Sequence, residues 1–221
     1  MSPPKDFSGK CIPPRDYQVE LLDRAKIQNT IISLGTGSGK TFVAVLLIKE
    51  YSQRLLHQNE KAVFLVNTVE LVAQQAEHIE FHSSLSVARI SGSTIKRKYE
   101  RKEVIVITAQ VFLDLINHGL FDFSSLALLI VDECHHCLGE LHPYRLIMNH
   151  YKKLQGQRPR VLGLTASILN KKVPSSRIEC TAQLLEQIMD SQIETSSNYT
   201  QVEFLNSIYL RINFIKDMQI C

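Results

Sequence analysis

The sequence predicts an α/β fold: a mostly parallel β-sheet with helices on both faces. Three observations carry this. Short apolar runs alternate with longer segments of helical spacing from residue 15 to residue 164. Those runs are apolar almost throughout, as strands buried on both faces are. A Gly-rich stretch, residues 34–41 (LGTGSGKT), links one apolar run to the helical segment that follows it, which suits strand–turn–helix units.

The elements follow in order. Residues 1–14 are Pro-rich and polar, and are expected to form a disordered lead-in. From Arg15 to about Lys26, Tyr17, Leu21, Leu22 and Ala25 recur at helical spacing. Thr30–Leu34 reads as a buried strand bounded by Gly35. One helix is expected from Thr41 to about Leu56, which contains neither Gly nor Pro. Ala62–Val66 is a strand and Val69 to about Phe81 a helix. Val87–Ile90 is a strand, followed by a basic loop with Lys96, Arg97, Lys98, Arg101 and Lys102. Val104–Thr108 is a strand and Ala109–Asn117 a helix; Leu126–Val131 is a strand and Pro143–Leu154 a helix. Arg160–Leu164 is the last strand. Beyond Lys172 the rhythm falters: Ala182–Met189 can be helical, and residues 192–221 show no clear period.

Composition bounds the function classes. The 221 residues allow one sizeable domain, or a domain with an appendage, and 44% of them are hydrophobic. A net charge of +3 permits a nucleic-acid partner without arguing for one. No apolar run reaches ~18 residues, so no membrane span is expected. Nor does the N-terminus carry the apolar stretch of a secretory signal. Five cysteines, an odd number, fit reduced thiols in a cytoplasmic protein better than a disulfide framework.

The Gly-rich stretch answers a chemical demand. A triphosphate needs many donors converging in a small volume. Backbone N–H groups of Thr36, Gly37, Ser38 and Gly39 provide them, because glycine tolerates the required dihedrals. The helix that follows adds its positive end. Lys40 reaches the β- and γ-phosphates, and the Thr41 hydroxyl holds Mg²⁺. The strict pattern G-x-x-x-x-G-K-[ST] is not met, since Leu34 occupies the first glycine position.

A second anchor stands at residues 128–135 (LLIVDECH). The apolar strand carries Asp132 to its C-terminal edge, where ligands bind in such sheets. Asp132 is a Mg²⁺ ligand candidate, and Glu133 a candidate to accept a proton from attacking water. Either acid could instead cap the next helix. Cys134 and Cys137 form C-x-x-C, readable as half a zinc site, a redox pair or packing residues. His78, His82, His118 and His150 form no pattern.

Residues 37–41 with 132–135 (DECH) resemble motifs I and II of superfamily 2 helicases of the DExD/H type. Thr165, Ala166 and Ser167 then resemble motif III, which implies that they and His135 couple nucleotide to RNA. Arg15-Asp16-Tyr17-Gln18 resembles the upstream element whose glutamine reads adenine, a task a Gln amide can perform by pairing with N6 and N7. Residues 64–68 (FLVNT) resemble motif Ia; Ser91-Gly92 and Thr108-Ala109-Gln110 resemble later RNA-backbone motifs. In wording the chain is nearest to the helicase region of the Dicer family, the insect antiviral type above all, over residues 12 to about 172. Cytosolic RNA-sensing helicases share the plan.

The resemblance implies the following. The fold is a RecA-like P-loop NTPase lobe over residues 15–172, with residues 173–221 a partly helical extension that begins an inter-lobe segment. ATP and Mg²⁺ are bound. The partner is double-stranded RNA, met at phosphate and sugar by Thr68, Ser91, Gly92, Thr108 and Gln110; a dsRNA-binding protein is a further candidate companion. Only the first lobe is recognisable. The arginine fingers of a second lobe, worth ~10³–10⁵ in rate, have no counterpart here, so the lone chain is expected to bind ATP–Mg²⁺ and turn it over slowly. Nothing resembles a two-metal nuclease site. Two alternatives stay open: a non-catalytic RNA- or partner-binding module, and another P-loop class such as a kinase or transporter ATPase.

Overall fold

The computed structural model describes residues 13–92, 99–166 and 178–195. Seven strands form one sheet: β1 (Thr30–Ser33), β2 (Lys61–Val66), β3 (Val87–Ile90), β4 (Val104–Thr108), β5 (Leu126–Val131), β6 (Arg160–Thr165) and β7 (Gln192–Glu194). Their spatial order is β3-β4-β2-β5-β6-β1-β7, and every pairing is parallel. All C-terminal strand ends therefore lie along one edge. The helices are α1 (Asp16–Ile27), α2 (Lys40–Glu50), α3 (Ser52–His57), α4 (Val69–His82), α5 (Ala109–Asn117), α6 (Pro143–Lys152) and α7 (Ile178–Met189).

Strand alternation divides the core into two layers. From β2, Phe64 and Val66 join Leu21 of α1, Leu47 of α2 and Ile79 of α4. From the same strand, Val63 and Leu65 join Phe112 of α5, Ile147 of α6 and Leu185 of α7. Because both faces of β2, β4 and β5 are covered, each of these strands is buried along its whole length. That is why they read as uninterrupted apolar runs.

Several elements differ from the sequence expectation, α7 among them, since it begins at Ile178 rather than Ala182. The single helix expected over residues 41–56 is two, α2 and α3, interrupted at Tyr51. There the backbone N–H is shared between the carbonyls of Leu47 and Lys49, and the Arg54 guanidinium lies 5.3 Å from the ring centroid. α6 stops at Lys152, short of Leu154. Another is β7. Asp190 takes a left-handed φ of +50° after α7, and Ser191 N–H bonds back to the Glu186 carbonyl, a helix-ending turn. Gln192 N–H then donates to the Asn29 carbonyl, 3.1 Å away, which starts the pairing with β1. Backbone register places this strand, so hydrophobic periodicity gave no sign of it. The lead-in over residues 1–12, the basic run 96–98, Ser167 and residues 196–221 lie outside the described residues.

Candidate functional site

The Gly-rich stretch runs from the end of β1 into α2. Leu34 N–H still donates to the Thr165 carbonyl of β6, which fixes the root of the turn. Gly37 and Gly39 have φ of +75° and +79°, a region that L-residues with side chains avoid. Gly39 is also sterically locked: a Cβ there would stand 2.5 Å from Gln18 Nε2. The Ser38 hydroxyl donates to the Gly35 carbonyl at 2.7 Å. α2 begins at Lys40, so its unpaired N-terminal amides face the turn. Lys40 Nζ donates to the carbonyls of Leu34 at 2.8 Å and Gly35 at 3.1 Å. Burial pushes its pKa down, while the charges of Glu133 and Asp132 oppose the fall. The ammonium is thus held within the turn and within reach of both acids' fields.

Gln18 and its neighbours brace the turn. Tyr17 OH donates to the Ser38 carbonyl at 2.6 Å, and Gln18 Nε2 lies 3.4 Å from the carbonyls of both Ser38 and Gly39. Gln18 Oε1 accepts from Arg15 N–H at 2.9 Å. Beside the turn opens a cavity of about 200 Å³ lined by Arg15, Gln18, Gly39, Phe42, His78 and His82, among others.

Asp132 and Glu133 stand at the C-terminal end of β5, two strands from β1. Asp132 N–H donates to the Leu65 carbonyl of β2, holding the residue at the sheet edge. Its Oδ1 accepts from Glu133 N–H at 3.0 Å, and its Oδ2 lies 3.4 Å from Gln75 Nε2 of α4. Burial, reinforced by the Glu133 charge, raises its pKa to about 6. Glu133 turns the chain with φ of +46°. Its pKa is lowered chiefly by a hydrogen bond with His135, assisted by the Ala166 backbone and the Lys40 charge. His135 Nδ1 lies 3.3 Å from Glu133 Oε2 and 3.0 Å from Thr165 Oγ1. One imidazole therefore bridges the end of β5 to the end of β6.

Cys134 and Cys137 are fully buried core residues. The Cys137 thiol donates to Met189 Sδ at 3.3 Å, and burial pushes its pKa up to about 12. Both side chains pack within the core beneath the end of β5.

The candidate RNA residues gather on the other half of the same edge. Thr68 follows β2, Ser91 and Gly92 follow β3, and Thr108 and Gln110 stand at the end of β4 and the start of α5. Thr68, Ser91, Gly92 and Gln110 are exposed. Thr108 is buried as the N-cap of α5. Thr41 is half-buried in the first turn of α2 and Thr36 is exposed in the loop. The strand order thus sets the nucleotide candidates on β5, β6 and β1 beside the RNA candidates on β3, β4 and β2.

Sequence reasoning passed over three residues, all on α4: Gln75, which reaches Asp132, and His78 and His82, which line the cavity. Spacing alone could have placed the three on one flank of a helix, but nothing in the sequence says what that flank meets.

A family model described as the res subunit of type III restriction enzymes matches residues 11–169. The chain belongs to this family. Within it, the chain is 49% identical over 205 residues to the endoribonuclease dcr-1 of Caenorhabditis elegans, which covers 86% of this chain and 11% of that protein. It is 44% identical over 196 residues to the endoribonuclease Dicer of Danio rerio, covering 84% and 10%. With Dicer homolog 1 of Arabidopsis thaliana the identity is 38% over 204 residues, covering 86% and 11%. The chain spans about a tenth of the length of these relatives. The helicase domain of Pyrococcus furiosus Hef superposes with a TM-score of 0.69 at 27% identity, covering 84% of this chain and 38% of that one. The RecA-like fold and the kinship with the Dicer helicase region are both shown at this level.

Proposed function

We propose that this chain is the ATP-binding first lobe of a Dicer-type, dsRNA-dependent helicase ATPase, with residues 15–172 as the lobe and the following segment lending it the edge strand β7. One observation carries this: Lys40 is held in the glycine turn under the fields of Asp132 and Glu133. The donor set suits a magnesium-bound triphosphate. The turn offers backbone N–H groups, an ammonium and a helix N-terminus to phosphate oxygens. Thr41 and Asp132 would hold Mg²⁺, which supplies neutralisation of the β- and γ-phosphate charge. The cavity beside Gln18 continues from the turn and takes the base.

Glu133 is kept ionised by His135 and the Ala166 backbone, so it is ready to accept a proton from water at the γ-phosphate. His135 shares its Nδ1 environment with Thr165, so protonation of Glu133 is felt at the end of β6. Such a contact is suited to passing the state of the nucleotide to motif III. RNA would lie across the ends of β2, β3 and β4, held at phosphate and sugar without regard to sequence.

The same proposal extends to small-RNA production and antiviral defence of the insect Dicer type, in the cytoplasm. Support comes from the likeness to Dicers and from the free thiols of Cys134, Cys137 and Cys180. ATP turnover measured with and without dsRNA tests the function. Slow turnover that dsRNA accelerates and that Lys40→Ala abolishes is expected. Turnover indifferent to both would sink the proposal.

A further inference from the structure

Helix α4 has three distinct flanks. Val72, Ala76 and Ile79 pack into the core against the sheet. Glu77 and Glu80 pair with Arg89 of β3, at 3.8 and 2.6 Å. Gln75, His78 and His82, spaced by three and four residues, form the remaining flank, as helical periodicity requires. This flank meets the proposed nucleotide site at two places. Gln75 is buried, and its Nε2 lies 3.4 Å from Asp132 Oδ2. His78 and His82 line the cavity that continues from Gly37, Ser38 and Gly39. The His82 ring centroid lies 5.1 Å from that of Phe42 in the first turn of α2, and 4.7 Å from that of His78, both edge to face.

We propose that α4 is a third wall of the nucleotide site, engaging both ends of the ligand: Gln75 positions the Asp132 carboxylate at the metal end, while His78 and His82 close the base end. The inference rests on the function proposed above and adds residues that belong to none of the motifs read from the sequence. The chemistry is suitable at each end. Asp132 keeps one oxygen on the Glu133 amide, so a donor on the other oxygen selects one carboxylate orientation. At the base end, burial lowers the pKa of both imidazoles, with His82 acting on His78 and Lys49 on His82. Neutral imidazole offers a flat face to a purine and a ring nitrogen to an exocyclic amine. Arg15 also lines the cavity, and its guanidinium can stack on the opposite face of a base. Because Thr68 is the residue from which the same helix starts, a shift of α4 on RNA contact would be felt at both ends of the nucleotide.

The test titrates the whole chain with two probes, ATP and inorganic tripolyphosphate, each with Mg²⁺ and with EDTA. His78→Ala and His82→Ala are expected to weaken ATP binding roughly three- to tenfold and to leave tripolyphosphate binding unchanged. Gln75→Leu is expected to leave binding in EDTA unchanged and to reduce the gain that Mg²⁺ confers by a similar factor. Gln75→Met serves as the second variant at that position and should reduce the same gain, because it removes the donor, adds no charge and nearly keeps the length of the side chain. Thermal midpoints without nucleotide verify that each variant is folded. Equal losses for ATP and tripolyphosphate, or a Mg²⁺ gain indifferent to both Gln75 variants, would overturn the inference. A parent chain that binds neither probe would instead overturn the function on which it rests.

Discussion

Lys40 Nζ lies 2.8 Å from the carbonyl oxygen of Leu34, inside the turn that separates β1 from α2. A cation so placed draws the loop carbonyls inward; the Ser38, Phe42 and Val43 amides already donate to the Gly35 and Gly39 carbonyls, which leaves the amides of residues 36, 37 and 39–41 to face an anion. The same ammonium feels both acids at the end of β5. Loop, helix and acids are thus one electrostatic unit built on strands two places apart in the sheet.

Gly39→Ala is expected to distort this unit. The new Cβ would meet Gln18 Nε2 at 2.5 Å in a backbone of φ +79°. Left-handed strain costs ~1–2 kcal/mol on its own. Urea denaturation should report a loss of that size or more, with nucleotide binding reduced. Gln18→Ala in the same chain should return part of the stability by removing the obstructing amide.

Gly163→Ala tests the packing behind the acidic pair. A Cβ on β6 would stand 2.9 Å from Cys134 Sγ and 3.0 Å from Ile31 Cγ1. Overpacking of this kind costs ~1–3 kcal/mol. Cys134→Ala opens the space, so the cost of Gly163→Ala should fall in the double variant, read as a coupling in a double-mutant cycle.

Asp132 makes stability depend on pH. Its pKa rises from 3.8 to about 6 on folding, so between those values the folded state binds the extra proton. This group's contribution to stability is therefore fully present below about pH 4 and is lost as pH rises through about 6. That span of pKa corresponds to up to ~3 kcal/mol. In chelator-treated protein, Asp132→Asn should remove this fall, so parent and variant differ in the slope of stability against pH between about 4 and 6 and run parallel above it.

The contact of His135 Nδ1 with Thr165 Oγ1 joins the end of β5 to the end of β6 at 3.0 Å. Thr165→Val removes the hydroxyl and keeps the shape. A loss of ~1 kcal/mol in stability is expected, with nucleotide affinity retained and any acceleration of turnover by dsRNA diminished. Full acceleration in this variant would remove the contact from the coupling route.

Much of the fold was legible because strands buried on both faces leave an unmistakable trace. The apolar runs at β2, β4 and β5 and the glycine turn after β1 place the principal elements and the edge on which the site sits. What escaped was set by tertiary geometry. Tyr51 divides a helix that has no breaker in its sequence. β7 follows from the turn at Asp190, where an aspartate takes the conformation usually given to glycine. Motif spacing singled out Lys40, Asp132 and Glu133, and the fold brings the first within reach of the charges of the other two. That spacing was silent on Gln75, His78 and His82, since only the packing of α4 shows what its flank meets.

Calorimetric titration of the chain and of Lys40→Ala with ATP, with and without Mg²⁺, measures the hold of the glycine turn on a nucleotide. The parent is expected to bind saturably and to require Mg²⁺ for full affinity, and the variant to lose at least about tenfold, as removal of a charged phosphate donor entails. Indistinguishable isotherms for the two proteins would contradict such a hold.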